Sequence, residues 1–148
     1  MTPAVLVIDT NVVLDLFVYE DPATAPLRLA LADAQTRWLA TDVMREELRR
    51  VLAYPQVVKR LQARALSAEA VLASFDARAH LTDIAPGAPY TCKDTDDQQF
   101  IDLAVAHTAI LLSKDKAVLC MAKRLARLGV AVSRQWSPAT IQTTDLTA

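Results

Sequence analysis

Short apolar runs that end on polar residues recur along the chain and predict the strands of a parallel sheet. Residues 5–8 are four consecutive apolar residues that end on Asp9, a pattern typical of a strand buried on both faces. Runs at 37–40, 109–113 and 130–133 predict further strands, and residues 82–90 predict a loop with a brief strand. Each predicted strand is therefore separated from the next by a longer stretch of different pattern.

Those intervening stretches carry helical signals. Helices are predicted over 10–17, 23–35, 42–53 and 56–80, the last of them split near Ser67, which can cap a new helix. Thr95 and Gln98 fit a capping box that opens a helix to residue 107, and Gly129 can end a basic helix over 117–128. Alternating strands and helices predict an α/β protein, a three-layer α/β/α sandwich with a mainly parallel central sheet.

Length and composition favour one domain spanning residues 1–148. The chain has 148 residues, of which 53% are hydrophobic and 22% charged, enough for one sizeable core. No apolar run approaches the roughly 18 residues needed to span a bilayer, and no signal peptide opens the chain, so a cytoplasmic protein is expected. Cys92 and Cys120 are too few for a disulfide framework, and we interpret both as reduced, structural residues.

Positive charge is concentrated in two stretches although the net charge is only −1. Residues 45–64 carry six bases against two acids, and residues 114–134 carry six against one. Such stretches could follow a phosphate backbone, or they could be ordinary solvated helix faces, and charge alone does not separate the two interpretations.

Four carboxylates occupy positions where an acid needs an explanation. Asp9 and Asp115 follow predicted strands, at the sheet edge where α/β proteins bind ligands. Glu47 and Asp97 share the apolar faces of their predicted helices. Each has an ordinary structural alternative, such as a turn acid, a helix-capping acid or a Glu whose stem packs while its head reaches water.

Taken together, the four acids predict a metal site. If they converge, their repulsion must be relieved by protonation or by a cation, and oxygen-only ligands suit Mg²⁺ or Mn²⁺. The chain has only two glycines, which excludes a Gly-rich phosphate loop, and it has no nucleophile elbow or plausible Cys–His pair. Metal-assisted hydrolysis of a phosphodiester is the chemistry that remains.

The ordered set of motifs resembles the PIN domain, and within it the branch of putative toxins of toxin–antitoxin systems, kin to VapC-type ribonucleases. The motifs are Ile8-Asp-Thr-Asn11, Glu47-Leu48 with Val51-Leu52, the run from Cys92 to Ala104, and Ser113-Lys-Asp115. The resemblance covers nearly the whole chain in order and spacing. Each motif alone is weak, whereas the ordered set is fairly specific.

The resemblance implies a metal-dependent endoribonuclease and assigns its residues. Asp9, Glu47, Asp97 and Asp115 would be catalytic and would bind Mg²⁺ or Mn²⁺, with supporting roles implied for the polar residues Asn11, Ser113 and Asp94. The implied partners are RNA, a cognate antitoxin protein and a second copy of the chain in a homodimer. Lys114 stands where relatives commonly have small or other residues, which would alter phosphate contact without removing a ligand.

Two other functions stay open at this point. A non-catalytic RNA- or partner-binding module could retain the acidic pocket. A phosphatase with Asp9 as nucleophile is disfavoured, because that chemistry usually has a second Asp two residues later, where this chain has Asn11.

Overall fold

A five-stranded, entirely parallel sheet forms the centre of the protein. The computed structural model describes residues 4–33 and 36–137. The strands are β1 (Ala4–Ile8), β2 (Thr36–Ala40), β3 (Ala79–Leu81), β4 (Ile110–Leu112) and β5 (Val132–Ser133), in the order β3-β2-β1-β4-β5. The sheet is parallel at every pairing, which confirms the predicted α/β fold.

Helices connect the strands. They are α1 (Thr10–Leu14), continued by a π-helical segment (Asp15–Tyr19), then a 3-10 turn (Pro22–Thr24), α2 (Ala25–Leu31), α3 (Asp42–Val51), α4 (Pro55–Ala63), α5 (Ala68–Arg78), α6 (Gln98–His107), α7 (Lys116–Leu119) and α8 (Ala122–Ala126). Ser67 caps α5 as predicted, because its hydroxyl accepts a hydrogen bond from the Ala70 backbone N–H at 3.0 Å.

The strand order determines where the helices lie and where a ligand can bind. From β1 to β3 the chain moves to one side of the sheet, and from β4 to β5 it moves to the other. Right-handed crossovers then place α1–α5 on one face and α6–α8 on the opposite face, giving the three-layer α/β/α sandwich. The direction reverses between β1 and β4, and the crevice beyond their carboxyl ends is where such sheets bind ligands.

Each face of the sheet has its own packed layer. Trp38 on β2 is buried against Phe75 of α5, with ring centroids 5.0 Å apart and an interplanar angle of 83°. On the other face, α6 buries Phe100, Ile101, Leu103 and Ala104 completely and contacts both β1 and β4. These contacts hold the ends of the two central strands, and the residues that follow them, in fixed positions.

Several local predictions were wrong. The helix predicted over 23–35 is a 3-10 turn followed by the short α2; its last two residues lie outside the described ranges. The brief strand is Ala79–Leu81, before the predicted loop rather than within it. The capping box does not form, because the Gln98 amide instead accepts from Cys92 N–H at 2.6 Å and donates to Tyr90 C=O at 3.1 Å.

The two cysteines differ in their environments. Cys92 is buried as predicted, and burial raises the pKa of its thiol. Cys120 is exposed, so the prediction that it is a buried structural residue was wrong.

Much of the positive charge at 45–64 is engaged within the protein. Arg45 forms a bidentate ion pair with Asp76, and Arg49 pairs with Glu46 one turn earlier on α3. Arg64 pairs with Glu20 at 2.9 Å. These arginines are therefore not free to follow a phosphate backbone, which favours the helix-face interpretation for this stretch.

None of the helices in the described ranges is both long enough and apolar enough to cross a membrane.

Candidate active site

Asp9 is a buried carboxylate at the end of β1. It is 4% exposed and directly precedes α1, and its backbone N–H donates to Leu112 C=O on β4 at 2.9 Å. Its Oδ2 accepts a hydrogen bond of 2.6 Å from the hydroxyl of Ser113, which is fully buried. Burial raises the pKa of the Asp9 carboxyl, the Ser113 hydrogen bond opposes that rise, and the charge of Asp115 adds to it.

Three further carboxylates meet beside β4. One oxygen each from Asp94, Asp97 and Asp115 lies within 4.8 Å of the other two. Asp115 caps α7 by accepting from Ala117 N–H at 2.9 Å, and its own N–H donates to the Ser113 hydroxyl at 3.1 Å. Ser113 therefore links Asp9 to this group of three through one hydroxyl.

Asp97 is the most perturbed acid of the protein's described part. It is 7% exposed, and its Oδ2 is buried without a hydrogen-bond partner in residues 4–33 and 36–137. Burial, the adjacent Asp115 carboxyl and the charges of Asp9 and Asp94 together raise the pKa of Asp97 to about 8. At pH 7 this carboxyl therefore holds a proton when no cation is bound.

Glu47 reaches the site from α3. Its Oε2 accepts hydrogen bonds from the Thr10 hydroxyl at 2.8 Å and from Gln99 Nε2 at 3.3 Å. Burial raises the pKa of the Glu47 carboxyl, and the charges of Asp9 and Asp96 act in the same direction. Glu47 is thus held towards the other acids by two neutral donors rather than by a cation.

Asn11 has a structural contact beside the acids. Its side-chain oxygen accepts a hydrogen bond of 3.3 Å from the backbone N–H of Lys114, which ties the first turn of α1 to the segment after β4. The Lys114 ammonium points away from the acids, since it forms an ion pair with Asp15 at 2.5 Å.

The chemistry of this site fits a divalent cation. Within the described ranges, none of the five carboxylates of Asp9, Glu47, Asp94, Asp97 and Asp115 forms an ion pair with Lys or Arg. The separation of at most 4.8 Å is little wider than the roughly 4.2 Å between opposite oxygens around Mg²⁺ with bonds of about 2.1 Å. An all-oxygen donor set suits Mg²⁺ or Mn²⁺. A bound cation would neutralise the repulsion between the carboxylates and would give the unpartnered oxygen of Asp97 a contact.

The structure brings all seven predicted site residues to one end of the sheet, and the five acids among them form two subsets. Asp94 joins Asp97 and Asp115 in the closest group of three oxygens, whereas the resemblance implied only a supporting role for it. Asp9 is linked to that group through Ser113 and raises the pKa of Asp97, and Glu47 acts electrostatically together with Asp9.

Two residues that contact Glu47 were not predicted from the sequence: its hydrogen-bond donors Thr10 and Gln99. Thr10 adjoins Asp9, which was a usable signal. Gln99 falls on the more polar side of its helix, so its sequence position gave no indication of this contact.

Replacing Ser113 by alanine should weaken divalent-ion binding by about 10–100-fold, the usual effect of removing a partner that orients a ligand. The substitution deprives the buried Asp9 carboxylate of its 2.6 Å donor and the partly buried Asp115 N–H of its acceptor. Titration calorimetry with Mn²⁺ would measure the affinity. Ser74→Ala on α5 is the matched control, and equal affinities in the two variants would contradict the orienting role of Ser113.

A family model described as PIN domain matches residues 5–117. The matched segment runs from β1 to the start of α7 and contains all seven predicted site residues. No curated protein matches the chain.

Proposed function

The chain belongs to the PIN domain family, and from this premise we propose that it is a Mg²⁺- or Mn²⁺-dependent endoribonuclease that hydrolyses RNA phosphodiester bonds. PIN domains are generally nucleases and typically use divalent metals. The observation that carries the proposal is the convergence of three carboxylates, from Asp94, Asp97 and Asp115, which are unpaired with Lys or Arg in the described ranges. One of them, Asp97, has a buried oxygen without a hydrogen-bond partner in those ranges. We also infer that the whole chain is one such domain, since β5, beyond the matched residues, extends the same sheet.

The five acids of the site divide into three that would bind the cation most closely and two further acids, Asp9 and Glu47. Asp94, Asp97 and Asp115 supply the closest oxygens. Asp9 is linked to them through the Ser113 hydroxyl, and the charge of Asp9 raises the pKa of Glu47. A bound divalent ion would lower the pKa of water and neutralise charge that develops on the phosphate. Burial raises the pKa of Asp9 and Glu47, which makes each a better proton acceptor for attacking water near neutral pH.

Cleavage of a labelled single-stranded RNA tests the proposal. Wild-type protein should cut it internally with Mg²⁺ or Mn²⁺ and not with EDTA. Asp9→Asn should reduce cutting at least about 100-fold, since the Asp9 carboxylate would help to hold the ion and would accept a proton from water. Asp83→Asn, which removes an exposed acid from the loop after β3, is the charge-matched control. RNA binding without cutting would favour a non-catalytic module, and turnover of a small phosphomonoester would favour a phosphatase.

We further propose, from the motif resemblance, that the protein is the cytoplasmic toxin of a toxin–antitoxin pair and a homodimer inhibited by a cognate antitoxin. Induced expression of the wild type should then arrest growth, whereas Asp9→Asn should not. Co-expression of a small neighbouring gene should relieve the arrest. Analytical ultracentrifugation tests the dimer, for which Leu29 on α2, 74% exposed, is a candidate contact.

A further inference from the structure

A cavity of about 220 Å³ is lined by Val12 and Lys114, which adjoin the predicted site residues Asn11 and Ser113 in the chain. The backbone N–H of Lys114 donates to Asn11 Oδ1, so the two segments that carry these lining residues are joined at this point. The cavity is therefore built partly on the two segments that carry Asp9 and Asp115.

The cavity has apolar walls, one of which is aromatic. Val12 and Leu27 are buried and line it together with Trp136. Trp136 is half-buried, and unstacked bases commonly stack on aromatic rings of this kind.

The two basic residues of the cavity, Lys114 and Arg134, differ in whether they are free to contact a ligand. Lys114 is already paired with Asp15, a largely buried residue that opens the π-helical segment. Arg134 is exposed and forms no ion pair in the described ranges. Its guanidinium is therefore available to a ligand, and a guanidinium fork matches two adjacent acceptors better than one.

We propose that this cavity binds one base of the RNA strand next to the cleaved phosphate and that it prefers guanine; the inference rests on the proposed ribonuclease function. Guanine presents O6 and N7 together, the pair of acceptors that Arg binds in a bidentate manner. The indole ring of Trp136 can stack on an unstacked base, and Val12 and Leu27 exclude water around it. The volume is below the roughly 300–1,000 Å³ of pockets for drug-sized ligands, which suits a single base.

Nucleoside binding in EDTA tests the subsite without any cleavage. The fluorescence of Trp136 can report binding. The chain has two tryptophans, and the other, Trp38, is buried in the core, so a Trp136→Phe variant measures the signal that does not come from the cavity. Guanosine and inosine, which share O6 and N7, should bind at least about 10-fold more tightly than adenosine. 7-Deazaguanosine, which lacks the N7 acceptor, should lose most of that preference.

Replacing Arg134 by lysine keeps the positive charge but removes the guanidinium, which can donate to two acceptors at once. This variant should bind guanosine and adenosine about equally, whereas Arg124→Lys on α8, the matched control, should behave as the wild type. Equal affinity for all nucleosides in the wild type, or guanosine preference retained in Arg134→Lys, would overturn the subsite. If guanosine binds selectively but RNA is not cut, the ribonuclease function fails alone; if RNA is cut without base preference, the subsite fails alone.

Discussion

Replacing Asp97 by asparagine is expected to abolish Mn²⁺ binding and reduce RNA cleavage at least about 100-fold, beyond the 10–100-fold typical of a residue that only orients a ligand. The same substitution should stabilise the metal-free protein at pH 8. Both effects have one cause: Asp97 supplies a buried oxygen that is costly to ionise unless a cation is bound.

The direction of the stability change follows from the raised pKa. The metal-free folded protein keeps a proton on Asp97 up to about pH 8, whereas the unfolded chain releases it near the ordinary value of 3.8. The contribution of this group to stability is therefore complete below pH 4 and declines as the pH rises towards 8, by roughly 1.4 kcal/mol per unit. Asparagine cannot ionise, so the variant avoids that decline.

Thermal unfolding with and without Mn²⁺ measures both effects. The wild type should gain about 2.7 kcal/mol when the ion is present at 100 times its dissociation constant, and Asp97→Asn should gain nothing. Asp83→Asn should keep the full gain. If Asp97→Asn destabilises the metal-free protein at pH 8, or still responds to Mn²⁺, Asp97 is not a ligand of the cation.

As the pH increases towards 8, divalent-ion affinity should rise about 10-fold per pH unit, because the ion must displace one proton from Asp97. Above pH 8 the affinity should stay constant. About one proton should be released per ion bound at pH 7. Titration calorimetry in two buffers with different ionisation enthalpies measures that number directly. Burial also raises the pKa of Asp9 and Glu47, so any proton that these carboxyls hold would add to the number released.

Proton release also separates this mechanism from simple surface attraction. An ion held only by exposed carboxylates that are already charged would release almost no protons at pH 7. Affinity that is constant from pH 6 to pH 8 would therefore contradict a protonated Asp97 in the metal-free site.

The features that the sequence predicted well are those set by burial. The apolar run before Asp9 identified a central strand, and the positions of Phe100, Ile101 and Ala104 showed that Asp97 lies on a buried face. Both inferences depend on periodicity, which burial imposes directly on the sequence. Because a parallel sheet brings the ends of its strands to one edge, these two inferences sufficed to place Asp9 and Asp97 at the same end of the sheet.

Local geometry was harder to predict, because it depends on which of several possible hydrogen bonds a side chain forms. Asp97 precedes α6, yet its carboxylate makes no capping hydrogen bond and lies among the acids instead. The predicted helix over 117–128 is divided into α7 and α8. Val118, Met121 and Leu125 are all buried, so the apolar spacing continues unchanged across the break and could not reveal it.

The hydrogen bond between Ser113 and Asp9 joins residues 104 positions apart. A chain still being synthesised therefore has no complete site until β4 has emerged and paired with β1, long after the first carboxylate was made. Contacts this distant in sequence form slowly, because a long loop must close first. Under the proposed ribonuclease function, the protein cannot cut the message or the ribosomal RNA beside it during most of its own translation. Fragments that end before Ser113 should then be harmless to the cell.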